Sequence, residues 1–274
     1  MKLKSLVAKT RPIVTGDAAE SGLLLLQSAQ ISDVGGRASN QDALRSVQQG
    51  ALACYVVADG AGGHAGGETA SSLATEGLAA AFAAGPEFSA AALRYWVDTA
   101  NAQIGHAQLA QPGLHDMSST VAALLIDRRQ GAALWAHLGD TRIYFFRQRK
   151  ILAMSKDHSL VQQFIDAGYC SSEQSRTHPQ RNVLFAALGA ADDTPPEVTE
   201  HSVPVQHGDA FLLCTDGLWE WVLEHEMEAE LANAASAAAW LEGMQAVANR
   251  RFAQSGAIRD NTTAFAVWIS AAAP

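Results

Sequence analysis

The sequence predicts an α+β domain in which antiparallel sheets carry helices on their outer faces, and three observations lead to that prediction. Apolar, β-branched and aromatic runs of strand length recur along the 274 residues. Most of them are separated by turns and not by helices. Two helical stretches in succession follow the second run, after which strand-like runs come close together, so strict β-α-β alternation is absent.

In chain order, LLLLQSAQI (23–31) and ALACYVVA (51–58) read as the first two strands, rich in Leu, Val and Ile. Residues 68–84 and 90–109 are runs of good helix formers, largely Ala, Leu, Glu and Gln. TVAALLI (120–126), AALWAHL (132–138) and RIYFFR (142–147) are three more strands. SLVQQFIDA (159–167) reads as a short helix and AFLLC (210–214) as a buried strand. A helix over 234–252 and the strand TTAFAVWI (262–269) complete the chain. No linker or low-complexity tract interrupts the series, so the length is read as one domain, 1–274, with its core at about 22–270.

Composition narrows the function classes. Hydrophobic residues make up 48% and charged residues 17%, a globular balance. With 28 acidic against 19 basic residues the formal charge is −9, so the global field repels nucleic acid and anionic lipid, and a phosphate-bearing partner needs a local cation. The three cysteines, Cys54, Cys170 and Cys214, are odd in number, and two of them sit in apolar runs, which points to a reducing compartment. The basic start, MKLKSLVAKTRPIVTGD, lacks the apolar core of a signal peptide, and the leucine run 23–26 is far too short to span a membrane. The expectation is a cytoplasmic protein, monomeric, with neither membrane nor nucleic acid as partner.

GAGGHA (60–65), between strand and helix, matches the dinucleotide fingerprint G-x-G-x-x-A. The expected second strand and ribose-binding acid are missing, and Asp59 directly before the first glycine would repel a pyrophosphate. A P-loop fails because no Gly-Lys-Ser/Thr closes the loop. Three apolar runs instead end in aspartate, at CYVVAD (Asp59), LWAHLGD (Asp140) and FLLCTD (Asp216), while Asp42 precedes a turn in RASNQD and Asp260 precedes the last strand in IRDNTT. Each alone reads as well as a turn residue or helix cap. Together, with Lys and Arg scarce nearby, they suit a hard cation such as Mg2+ or Mn2+ held by oxygen ligands.

These pieces, with GGRASNQD (35–42), VVADGAGGHAGGE (56–68), SSTVAALLI (118–126), HLGDTRIY (137–144), DHSLVQQFIDAG (157–168), NVLFAALG (182–189), LLCTDGLWEWV (212–222) and RDNTTAFAV (259–267), resemble the metal-dependent PPM (PP2C) protein phosphatases of bacterial type, in the family's order and over about 30–269. The resemblance implies a PP2C-like four-layer αββα sandwich, two central antiparallel β-sheets flanked by helices. It implies that Asp59 bridges two catalytic Mn2+ or Mg2+ ions, that the Gly60 carbonyl joins one, and that Asp216 and Asp260 hold the other. Asp42 would orient metal-bound water, Arg37 would grip the substrate phosphate through its planar fork, and Asp140 and Glu220 match positions for a third ion. His64 is the candidate general acid for the leaving alkoxide, since Ala61 stands where many eukaryotic members carry a histidine. The segment 167–188, with Arg176, His178 and Arg181, corresponds to the flap beside the active site.

The function so implied is hydrolysis of phosphoserine and phosphothreonine in proteins by a hydroxide bridging two metal ions, opposing a Ser/Thr kinase. Two departures stand out: Gln41 replaces the Glu of many members, and Ser118-Ser119-Thr120 replaces the more usual Gly-Thr-Thr. Gln41 supports the alternative of a catalytically weak pseudophosphatase that binds phosphoproteins as a regulator. A partner-switching phosphatase normally carries sensor modules for which this chain has no room, and an oxidoreductase fails on topology.

Overall fold

The computed structural model describes residues 13–15, 22–191, 194–256 and 258–270, with the side chains of all but 13–15 and 63–65. Its first sheet runs, in spatial order, β1 (Ile13–Thr15), β2 (Leu25–Asp33), β13 (Thr262–Ser270), β12 (Ala210–Cys214), β8 (Arg142–Arg147) and β9 (Lys150–Met154). The second runs β10 (Glu197–Val198), β7 (Ala132–Leu138), β6 (Val121–Asp127), β4 (Leu52–Ala61) and β3 (Asp42–Gln49), with β11 (Val203–Pro204) also on β7 and β5 (Ser118–Ser119) on β4. Every strand pair is antiparallel. The αββα sandwich expected from the sequence is the architecture observed.

Period-2 alternation sorts the side chains into layers. On β4, Tyr55 and Val57 point between the sheets, while Cys54, Val56 and Ala58 pack under α1 (Gly63–Ala84) and α2 (Ala90–Ala110). On β12, Phe211 and Leu213 face the middle, while Leu212 and Cys214 lie under α5 (Asp216–Trp219), α6 (Glu224–Asn233) and α7 (Ala237–Ser255). Phe145 and Phe211 stack between the sheets with ring centroids 4.7 Å apart. Serine hydroxyls accept from the first-turn N–H groups of α2 (Ser89), α3 (Leu160–Asp166; Ser159), α4 (Ser172–Ser175; Ser171) and α7 (Ser236), satisfying donors that would otherwise be orphaned.

Four expectations change. β3 was not anticipated, and Asp42, expected before a turn, opens it: DALRSVQQ is polar because this edge strand is half-exposed along most of its length. β9 and α6 were missed for a similar reason, since β9 alternates half-buried and exposed positions and α6 buries only Met227 and Leu231 on an acidic helix. Asp59 and Gly60 lie inside β4, which runs to Ala61, and not in a loop after it. The glycine-rich stretch is mostly the start of α1, which begins at Gly63 and not at 68. A Cβ on Gly67 would meet Gln41 Nε2 at 2.5 Å and the Gly60 carbonyl at 2.6 Å, and a Cβ on Gly60 would meet the Gly67 carbonyl at 1.9 Å. These glycines let helix and strand touch backbone to backbone.

The inter-sheet layer sets stability. Phe211→Ala is expected to cost about 3–5 kcal/mol in urea unfolding, against within about 0.5 kcal/mol for Leu152→Ala at an exposed site on β9.

Candidate active site

Five carboxylates meet at one end of the sandwich because the strand register puts them there. Asp42 and Asp59 are cross-strand partners on β3 and β4. Asp216 opens α5 directly after β12, Asp260 stands just before β13, and Asp140 lies in the β7–β8 turn. A cleft of about 290 Å3 is lined by Arg37, Asp59, Gly60, Asp140, Asp216 and Asp260, together with Gln41, Asn182 and Asn261. The structure therefore brings most of the expected site residues to one surface.

Asp42 and Glu220 stand behind that lining. The Asp42 carboxylate accepts from Thr215 Oγ1 at 2.9 Å and hydrogen-bonds the Asp59 side chain. Glu220 accepts from Arg181 Nε at 2.6 Å. Residue 64 falls in the first turn of α1, and its side chain lies outside the described residues.

The backbone of Asp59 is held along the edge that faces Ser119 and Thr120. Its N–H donates to Thr120 Oγ1 at 2.9 Å, and its carbonyl accepts from Thr120 N–H at 2.8 Å and from Ser119 Oγ at 3.1 Å. Thr120 Oγ1 shares a 2.6 Å hydrogen bond with Thr141 Oγ1, which ties the clamp to the Asp140 turn. Trp219 Nε1 donates to the Asp140 carbonyl at 2.9 Å, and the Arg142 guanidinium covers the Trp219 ring at 3.6 Å while gripping Asp157 with two hydrogen bonds of 2.8 Å. The SST sequence thus positions both the Asp59 strand and the Asp140 turn.

Burial, and then the neighbouring carboxylates, push Asp59 and Asp216 well above the ordinary range. Burial likewise raises Asp42 and Asp140 to about 7, with Asp260 adding to the first and Asp157 to the second. Glu220 is raised by burial although Arg181 opposes the shift. Hard oxygen donors that hold one another's protons in this way fit a divalent cation such as Mg2+ or Mn2+.

The flap arginines are not free for substrate. Arg176 is buried, donating to Glu224 at 2.6 Å and to the Val222 carbonyl, and Arg181 is taken up by Glu220. Arg37 remains half-exposed and meets Asp260 Oδ2 at 2.5 Å, so the expected phosphate-binding cation lies in the cleft against an expected metal ligand. Asn261, which the sequence reading did not single out, ties the 34–41 loop to the segment leading into β13 through its carboxamide. Its placement directly after Asp260 was the one signal available. Burial pushes the Cys54 thiol up to about 12 and raises Cys214 as well, so neither is a nucleophile.

Among the described residues, one group of His, Cys, Asp or Glu has potential ligand atoms all within 4.8 Å: His137, His158 and Glu197. The imidazoles stack with centroids 4.9 Å apart, away from the carboxylate cleft. His137 Nε2 donates to the Lys156 carbonyl at 2.8 Å, and His158 Nδ1 accepts from Gly139 N–H at 3.1 Å, which leaves the neutral His158 proton on Nε2. With those hydrogen bonds in place neither Nε2 offers a lone pair, so the carboxylate cleft is the better cation site.

Residues 32–255 match the family model for Protein phosphatase 2C. The chain is similar to the Serine/threonine phosphatase stp of Listeria welshimeri, 34% identical over 178 residues, 63% of this chain and 69% of the relative. It is similar to Protein phosphatase PhpP of Streptococcus pneumoniae, 31% identical over 209 residues, 74% and 82% of the two chains. Among solved structures, it resembles the catalytic domain of the serine threonine protein phosphatase PstP in complex with 2 manganese ions, with a TM-score of 0.76, 28% identity and coverage of 90% and 99%.

The raised carboxylates give a pH-dependent response to metal. Folding takes up protons at Asp42 and Asp140 between the usual carboxylate value near 4 and about 7, so their contribution to metal-free stability falls as pH rises through that window. Below it, protons compete with the cation. Millimolar Mn2+ is expected to raise Tm by several degrees at pH 7.5 and by less than about half as much at pH 5.5. Equal shifts in thermal unfolding at the two pH values would count against the carboxylates as the binding groups.

Proposed function

The chain belongs to the Protein phosphatase 2C family and is a metal-dependent protein-serine/threonine phosphatase, and we propose that the cleft between Asp59, Asp140, Asp216 and Asp260 is where phosphoserine and phosphothreonine side chains are hydrolysed. The observation that carries this placement is the convergence of these four aspartates, with Asp42 behind them, on one cleft in which burial, with nearby carboxylates adding to it, raises Asp42, Asp59, Asp140 and Asp216 above the ordinary carboxylate range.

Asp59, the Gly60 carbonyl, Asp216 and Asp260 would hold two divalent ions, Mn2+ or Mg2+, and Asp140 with Glu220 would hold a third. When bound, these ions supply Lewis acidity that lowers the pKa of water and offsets phosphoryl charge. Arg37 leaves Asp260 to grip the substrate's phosphate oxygens through a charge-assisted contact. Asp42 orients water and Asp59 from behind the cleft, fixed there by Thr215. His64 protonates the departing alkoxide. Hydrolysis by water in one step needs no covalent intermediate, in keeping with the buried, protonated thiols.

Phosphoproteins are the substrates of this activity. We place the chain as a single catalytic domain acting as a cytoplasmic monomer against the products of a Ser/Thr kinase. Among the described residues no helix is long and apolar enough to cross a membrane.

Phosphate release from a phosphothreonine peptide should require Mn2+ and stop on chelation. Asp59→Asn is expected to lower kcat by at least about 100-fold, the scale of a lost electrostatic contribution to the transition state, in protein whose circular dichroism is unchanged. Arg37→Ala is expected to raise KM by about tenfold. A folded Asp59→Asn variant with undiminished turnover would remove the cleft from the mechanism, and silence of the wild type with every metal would favour the phosphoprotein-binding regulator.

A further inference from the structure

The loop that carries Arg37 has little regular structure of its own to hold it. Residues 34–41 lie between β2 and β3, outside either strand, and Arg37 is half-exposed at their centre. Its placement over the cleft is set from the opposite side of the chain, by the residues that lead into β13.

Asn261 is the centre of that attachment. Its side chain is buried, and each polar atom of the carboxamide is in use. Nδ2 donates to the Val34 carbonyl at 2.9 Å and to the Ser39 carbonyl at 3.0 Å, one on each side of Arg37. Oδ1 accepts from the Gln41 N–H at 2.8 Å, and the Asn261 backbone N–H donates to Asp260 Oδ1 at 2.8 Å. A planar amide with both N–H groups and its oxygen engaged admits one orientation, so it transmits position and does not merely fill space.

The neighbouring contacts agree. Gly36 N–H donates to the Arg259 carbonyl at 2.8 Å, and Gly35, at φ +62°, passes so near the Asp260 carbonyl that a Cβ would stand 2.3 Å from it. The loop is therefore registered on the 259–261 segment and, through Asp260, on the carboxylate cluster.

We infer that Asn261 is a positioning residue for substrate phosphate: by bracketing Arg37 it sets the guanidinium at one distance from Asp260 and the cleft. The inference rests on the reading of Arg37 as the phosphate-gripping group. Displacement of such a group by about 1 Å is enough to cost a large factor in its contribution, whereas Asp42, Asp59 and Asp216 keep their own strand and helix supports in an Asn261 variant.

The test is a double-mutant cycle on the full chain at saturating Mn2+. KM and kcat are measured for a phosphothreonine peptide, together with the inhibition constant of inorganic phosphate, in the wild type, Arg37→Ala, Asn261→Ala and the double variant. Asn261→Ala is expected to raise both KM and the phosphate inhibition constant by about tenfold while kcat changes by less than about threefold. The double variant should bind phosphate no more weakly than Arg37→Ala alone.

An Asn261→Ala enzyme that loses kcat but keeps wild-type KM and phosphate inhibition has a structural role only, and that overturns the inference. So does a double variant in which the two effects multiply. If Arg37→Ala itself leaves phosphate inhibition unchanged, the reading of Arg37 fails and takes the inference with it, an outcome distinct from failure at Asn261 alone. Where Asn261→Ala does not fold, Asn261→Ser, which retains a short donor and acceptor, enters the same cycle under the same criteria.

Discussion

The structure is organised around one unfavourable interaction, the crowding of buried carboxylates at a single end of a rigid sandwich. In an isolated site each such group would move or protonate until the repulsion was relieved. Here neither Asp42 nor Asp59 can withdraw without breaking the β3–β4 ladder, and Asp216 is fixed where β12 turns into α5. The packed layer of Phe145, Phe211, Tyr55 and Phe265 between the sheets resists the shift that would let the strands part. Hydrophobic burial thus stabilises a polar arrangement that the polar groups would not keep by themselves, and the raised carboxylate pKa values record that strain in chemical form.

Holding the acids requires holding their backbones. Asp59 is clamped by Ser119 and Thr120, Thr120 reaches Thr141 beside Asp140, and Trp219 reaches the Asp140 carbonyl from the helix that starts at Asp216. These links join β4, β5, the β7–β8 turn and α5 in one polar chain, so the carboxylates keep their spacing as a set. The close approach of α1 to β4 belongs to the same device. A side chain at Gly60 or Gly67 would push the helix from the strand by more than the clearance available, and with it the edge on which the Gly60 N–H donates to the Gln41 carbonyl.

The layers were legible because strands buried on both faces are nearly continuous apolar runs, and β4, β6, β7, β8, β12 and β13 all show this. β3 and β9 were not, since a half-exposed edge strand loses the apolar signature while keeping the ladder. The same division applies to the site. Aspartates at the ends of apolar runs are conspicuous, as with Asp59, Asp140 and Asp216, whereas Asn261 earns its place through three contacts with residues more than 200 positions away, which no local pattern can announce. The glycines after Asp59 were misread as a loop because glycine's local preference is for turns, and tertiary packing overrode it.

The distribution of arginines explains why the cluster keeps its charge deficit. Arg142 is committed to Asp157, Arg176 to Glu224, and Arg147 to Asp209, each by a short hydrogen-bonded ion pair away from the cleft. Arg181, in the flap, neutralises Glu220 at the cluster's margin. That leaves Arg37 against Asp260 as the arginine pair within the cleft lining itself, one cation facing Asp59, Asp140, Asp216 and Asp260. Moving Arg142 into the cleft would strand the buried Asp157, at a cost of about 3–5 kcal/mol for a broken buried pair, and moving Arg147 would strand the buried Asp209. The fold therefore meets the charge of its outlying acids internally and leaves one arginine against the four aspartates of the cleft, the setting in which we propose that divalent cations bind.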